Sequence, residues 1–239
     1  MIAIRRPALL ALPLLLLAGC GLGPGTRTTE DVPLAGDVRT VVLDVGSGDV
    51  TVRHDPTAPA PLLQRRVQHW GAAPGATTEQ VGDRIALNGC PGRCSVDYEL
   101  VLPTAGAAVS GTLSSGSALL AGVGAVDVDL SSGDAQLSDV TGPVTVSVSS
   151  GDVRGEGLGG DTTATSSSGS VSLSLARPAS VRVRASSGDV SVAVPAGDYA
   201  VRAGTGNGET RTAVPSTPGA AHTVDVETGS GDVAVEAAA

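Results

Sequence analysis

"VTVSVSSGDVRGEG", Val144 to Gly157, alternates valine with hydroxyl residues, breaks at Ser-Gly-Asp and resumes at Val153. Period-two alternation describes a strand with one buried face. Ser-Gly-Asp describes a tight corner, because glycine permits positive φ and the short polar side chains can bond neighbouring backbone N–H groups. Variants recur as "GSGDVTV" at 46–52, "LSSGDAQL" at 130–137, "ASSGDVSV" at 185–192 and "GSGDVAV" at 229–235. The corner pairs are Gly48 and Asp49, Gly133 and Asp134, Gly151 and Asp152, Gly188 and Asp189, and Gly231 and Asp232.

Aligning the corner glycines as Gly116, Gly133, Gly151, Gly169, Gly188 and Gly206 gives spacings of 17, 18, 18, 19 and 18 residues. Gly231 follows Gly206 by 25, an excess that the loop "VPSTPGAAH" can supply. Gly48 stands apart, with an insertion at about 62–103 before the regular series. No helical periodicity of useful length follows the N-terminal leader. A regular repeat of strands without helices predicts an all-β parallel solenoid with roughly 18-residue rungs, in which no rung can bury its own valines alone. Seven or eight rungs stacked about 4.8 Å apart make a rod of roughly 35 Å. Composition agrees: no Phe, one Trp, two Tyr and 33 Gly leave a thin core of small side chains.

The N-terminus sets the compartment. "MIAIRR" is basic, "PALLALPLLLL" is apolar but short for a bilayer span, and "LAGC" ends on Cys20. Residues 1–19 read as a secretion signal that resembles a bacterial lipoprotein leader. That resemblance implies a diacylglyceryl group on the Cys20 thiol, a cell-membrane location on the extracytoplasmic face, and a flexible tether over 20–37 that leads into a domain at 38–239. Cys90 and Cys94 remain as an even pair in an oxidising compartment, and a disulfide is the economical reading. "ALNGCPGRCSVDYELVLP" places them in a loop between two alternating segments, which predicts a disulfide-stapled hairpin. The rival, a redox or metal pair, lacks the Cys-x2-Cys spacing and a second ligand pair.

Loss of the leader's two arginines takes the formal charge from −9 to −11, which excludes nucleic acid as a natural partner. The residues after the corner glycines run Ser117, Asp134, Asp152, Ser170, Asp189, Asn207 and Asp232. This acidic row departs from calcium-binding nonapeptide turns, lacking both the residue between Gly and Asp and a facing turn, so no metal or other cofactor is expected. His54, His69 and His222 are far apart, and no Gly-x-Ser-x-Gly elbow occurs, so no catalytic residues are assigned. "LLQRRVQHW" at 62–70 concentrates two arginines, a histidine and the tryptophan; an aromatic covering the end of a thin core accounts for it, with a binding patch as the alternative.

The "SGDV" repeats, the leader ending on Cys20 and the "CSVDYELVLP" segment together resemble the bacterial "putative adhesin" family of extracytoplasmic β-solenoids, related to head-GIN-domain proteins. The likeness covers most of residues 38–237. It implies a lipid-anchored structural or interaction module of the cell envelope rather than an enzyme, with cell-wall glycan or an envelope protein as partner. A sensory lipoprotein in an envelope-stress response is the alternative.

Overall fold

The computed structural model describes residues 25–238, and no helix occurs among them. Cys20 and the leader lie outside the described residues. The N-terminal part contains β1 (Thr26–Val32), β2 (Thr40–Ser47), β3 (Val50–His54), β4 (Leu62–His69), β5 (Thr78–Val81), β6 (Arg84–Asn88) and β7 (Cys94–Leu102). Strand pairs follow: β8 (Ala108–Ser115) with β9 (Ala118–Ala121), β10 (Val126–Ser132) with β11 (Ala135–Ser138), and β12 (Val144–Ser150) with β13 (Val153–Leu158). The pairs β14 (Thr162–Ser168) with β15 (Val171–Leu175), and β16 (Val181–Ser187) with β17 (Val190–Val194), complete the regular series. The chain ends with β18 (Tyr199–Thr205), β19 (Thr210–Thr212), β20 (His222–Ser230) and β21 (Val233–Ala237).

Each coil places its first strand in one sheet, turns at Ser-Gly-Asp, and places its second strand in the facing sheet. In β12, Val144, Val146 and Val148 point inward while Thr145 and Ser149 are exposed, and Val153 re-enters the core after the corner. Parallel pairing then stacks like on like: Val126, Val144, Thr162, Val181 and Val224 form one ladder. Ala118, Ala135, Val153, Val171, Val190 and Val233 form the facing one. Each valine is covered by its counterparts in the coils on either side, so the two sheets close over a thin core and the parallel β-solenoid expected from the repeat is the observed fold.

The sheets have 11 and 10 strands, ordered β1-β4-β7-β3-β9-β11-β13-β15-β17-β21-β19 and β18-β20-β16-β14-β12-β10-β8-β2-β6-β5. The last two coils are therefore exchanged: β20 and β21 lie between β16/β17 and β18/β19, although they come later in the chain. Burial explains the exchange. Val224, Val226, Val233 and Val235 are fully buried, which suits an interior coil, whereas β19 is exposed throughout and β18 fully buries only Tyr199. A terminal coil must tolerate water on its outer side, and the polar one takes that place. Segment 213–221 carries the chain back along this edge. There the Val201 N–H donates to Ser216 Oγ at 3.0 Å and the Thr217 N–H to the Tyr199 carbonyl at 2.8 Å. The corner glycine of this coil is Gly208, with φ of 147°, not Gly206, and Glu209 takes the place expected for Asn207.

The insertion differs from expectation as well. Cys90 and Cys94 are disulfide-bonded, but they do not staple a hairpin. β6 pairs parallel with β2 in one sheet and β7 pairs with β3 and β4 in the other, so the bridge closes a corner between sheets. A hairpin would leave one sheet's end uncovered, whereas this path lets Ile85 and Leu87 cap one sheet and Val96, Tyr98 and Leu100 the other. Antiparallel pairing is confined to this end, between β1 and β4, β4 and β7, and β5 and β6. Part of the expected tether is ordered too, since residues 26–32 form β1. Its polar sequence gives no alternation to read, yet β4 supplies its ladder and an Arg65–Glu30 ion pair fastens it.

Candidate functional site

The repeat corners assemble into one column along an edge of the rod. In spatial order its glycines are Gly48, Gly116, Gly133, Gly151, Gly169, Gly188, Gly231 and Gly208, so the insertion leaves the column unbroken. At Gly151, φ is 137° and an added Cβ would stand 2.2 Å from the Gly133 carbonyl oxygen, so the corner excludes any side chain on both counts. The following residues bond along the column. Asp49 Oδ1 accepts the Ser117 N–H at 2.8 Å, Asp134 Oδ1 that of Asp152 at 2.9 Å, and Asp152 Oδ1 that of Ser170 at 2.9 Å. Asp189 Oδ1 accepts the Asp232 N–H at 2.8 Å, and Asp232 Oδ1 that of Glu209 at 2.9 Å. Asp97, which sequence reasoning missed, heads the column by accepting the Asp49 N–H at 3.1 Å. These carboxylates point along the column to amides rather than converging, and no group of three His, Cys, Asp or Glu side chains with metal-holding geometry occurs among the described residues.

The outward face of the sheet containing β12 is built differently. Register aligns Ser110, Asp127, Thr145, Thr163, Arg182, Asp225 and Arg202 in one row across the strands. A second row runs Thr112, Asp129, Ser147, Thr165, Arg184 and Glu227. Hydroxyls in the central coils are thus flanked by two aspartates on one side and a charged cluster on the other. There Arg184 reaches Asp225 at 2.6 Å and Glu227 at 3.3 Å. The hydrogen bond that Arg184 donates to the Asp225 carboxylate holds its guanidinium above its ordinary range, opposed by a smaller loss of hydration. Arg182, Ala200, Arg202, Thr223 and Asp225 line a small depression of ≈ 120 Å³.

At the N-terminal end the Tyr98 hydroxyl is buried and bonds Thr77 and the Asn88 carbonyl, the latter at 2.6 Å, while Arg65 donates to Thr77 Oγ1 at 2.8 Å. Burial raises the Tyr98 pKa above the usual tyrosine value, against the lowering effect of the Thr77 hydrogen bond and the Arg65 charge. No sequence signal marks this network, because its members come from four separate segments. The histidines are likewise dispersed. His69 Nδ1 lies 3.1 Å from the Gly71 carbonyl, His222 packs 6.2 Å from the Tyr199 ring, and His54 packs under Gly122.

This arrangement defines a rigid parallel β-solenoid with chemically ordered faces. The chain belongs to the Toastrack DUF4097 family, whose profile matches residues 36–236. No curated protein matches it in sequence. Among solved structures, a "putative adhesin" from Bacteroides fragilis is similar over 89 % of this chain and 97 % of its own, at 12 % identity and a TM-score of 0.50. A "putative cell adhesion protein" from Clostridium sporogenes covers 90 % of this chain and 100 % of its own at 14 % identity, with a TM-score of 0.41. A "putative adhesin" from Parabacteroides merdae covers 92 % and 98 % at 13 % identity, with a TM-score of 0.44.

Proposed function

We propose that the chain is a lipoprotein of the bacterial cell envelope, anchored through Cys20 on the extracytoplasmic side, whose solenoid acts as a non-catalytic, adhesin-like interaction module. The observation that supports this best is the outward face of the β12 sheet. Thr145 and Ser147 of β12 stand in register with Thr163 and Thr165 of the adjacent β14, about 4.8 Å apart, and Ser110 and Thr112 of β8 continue the two rows beyond the aspartates of β10, on a backbone fixed by its neighbours. A rigid, repeating row of hydroxyls suits a polymer such as cell-wall glycan, or an envelope protein with a repeating surface. Many weak contacts there add through effective concentration, and no deep pocket is needed. The description carried by the Bacteroides fragilis relative agrees with this use of the rod.

Co-sedimentation of the full-length protein with isolated wall polymers tests the binding reading. Binding should be saturable, should weaken when Thr145 and Thr165 are both replaced by Glu, and should leave the polymer uncleaved. Cys20→Ala should release the protein from membranes, and mass spectrometry of the mature N-terminus reads the lipid directly. Polymer turnover would favour an enzyme; absence of binding, with a deletion phenotype confined to stress-response transcription, would favour the sensory lipoprotein.

A further inference from the structure

Trp70 is the chain's single tryptophan and is 39 % exposed. It follows β4, and its backbone N–H donates to the Arg93 carbonyl at 3.1 Å, which joins the 70–76 loop to the disulfide loop at one corner of the rod. The Arg93 guanidinium carbon lies 5.5 Å from the indole centroid, within cation–π range, and the Cys90–Cys94 bridge closes the loop that presents it. Gly25 enters the same corner. A Cβ there would stand 2.8 Å from Trp70 Cε2, so the chain joins the domain against the indole itself. Thr26, opposite His69, then begins β1.

Five residues lead from Cys20 to Gly25. Fully extended, they reach at most about 18 Å at roughly 3.6 Å per residue. A lipid on Cys20 therefore holds this corner close to the bilayer surface. The chemistry fits that position. Segments 25–29, 70–76 and 89–93 contribute Trp70, Arg27, Arg93, two prolines and small residues, and no Asp or Glu, in a chain with 24 acids against 15 bases. The acidic column begins beyond them at Asp97 and runs away along the rod through Asp49 and Asp134. An indole has its preferred depth among lipid headgroups, and guanidinium groups pair with their phosphates.

We propose that the Trp70–Arg93 corner is a membrane-contact site that sits in the headgroup layer of an anionic phospholipid bilayer and fixes the rod's end against it. The proposal rests on the reading of Cys20 as the lipid-bearing residue, and its test separates the two. Full-length protein is reconstituted into phosphatidylcholine vesicles with and without phosphatidylglycerol, containing brominated lipid, and the N-terminal mass is recorded on the same sample. Trp70 is its own reporter. Its emission should shift to the blue and be quenched several-fold more than that of a Trp70→Phe chain carrying Ser191→Trp. Ser191 lies on β17, seven strands from β4 in the sheet order, or about 34 Å at about 4.8 Å per strand. Arg93→Gln, an exposed loop change, should abolish the additional quenching that phosphatidylglycerol brings. A lipid-bearing Cys20 with Trp70 quenched no more than the Ser191→Trp control overturns the contact site alone. An unmodified Cys20 overturns the anchoring reading and the site with it.

Discussion

Asp134 Oδ1 accepts the backbone N–H of Asp152 at 2.9 Å, one coil further along the rod. The same coil is joined by two backbone bonds at this corner, Gly133 N–H to the Ser150 carbonyl and Ala135 N–H to the Asp152 carbonyl, each at 2.9 Å. The aspartate of the repeat thus satisfies the one corner amide that the ladder leaves over. Asp134→Ala should destabilise the protein by about 1 kcal/mol, and Asp134→Asn, which keeps an acceptor oxygen, should cost clearly less. Denaturant melts of the two variants decide it, equal losses pointing to charge rather than to the hydrogen bond.

The corner glycines make a stronger claim. Gly151→Ala imposes both an unfavourable φ and a clash with the backbone of the neighbouring coil, and should cost more than about 3 kcal/mol. Gly204 lies within a strand and takes no left-handed φ, and an added Cβ there would meet nothing within 4 Å, so Gly204→Ala should be close to neutral. Thermal melts that rank the two alike would remove the stacking account of the repeat.

The strand register is tested by charge insertion. Val146, Val183 and Val192 are all 0 % exposed, so an Asp at any of them buries a carboxylate without a partner and should cost several kcal/mol, about 3 or more. Asp at exposed Ser191, next to Val192, should change stability by less than about 0.5 kcal/mol. Similar melting temperatures for Val192→Asp and Ser191→Asp would place the wrong face inward.

The chain's two tyrosines predict an alkaline limit. Burial raises the pKa of both Tyr98 and Tyr199. A group whose folded pKa lies above its unfolded value of about 10 contributes its full stability below that pH and loses it as pH rises toward the folded value. Phenolate absorbance should therefore appear together with the loss of β-sheet circular dichroism, and later than in the denatured chain. Titration of either tyrosine at its ordinary pKa in the folded protein would contradict the burial described.

Legibility in the sequence followed distance along the chain. The corner, the alternation around it and the Cys90–Cys94 pairing are decided within a few residues, and each is visible in a short quotation. β1 is not, because "TRTTEDV" carries no apolar face and is a strand only where β4 offers it an edge. Tyr98, Thr77 and Asn88 meet only after the insertion has crossed from one sheet to the other. The order of the last coils was hidden for another reason: in a parallel stack every coil offers the next the same ladder, so position is chosen by tolerance of water at the open end. That property shows in the contrast between "TRT" at 210–212 and "VAV" at 233–235 only when the two are weighed against each other.

That exchange makes the final prediction. β18 and β19 sit at the sheet edges, while β20 and β21 have neighbours on both sides. Native-state hydrogen exchange should show amides of Asp225, Glu227, Ala234 and Glu236, which face β16 and β17, opening only with the whole domain, because freeing them requires separating coils whose valines are fully buried against each other. Amides of β18 and β19 should exchange faster by orders of magnitude, apart from Val201, whose N–H the returning segment holds through Ser216 Oγ. Stacking in chain order would reverse the pattern, leaving β20 and β21 as the fraying edge and β18 protected; that profile would refute the inserted C-terminal coil.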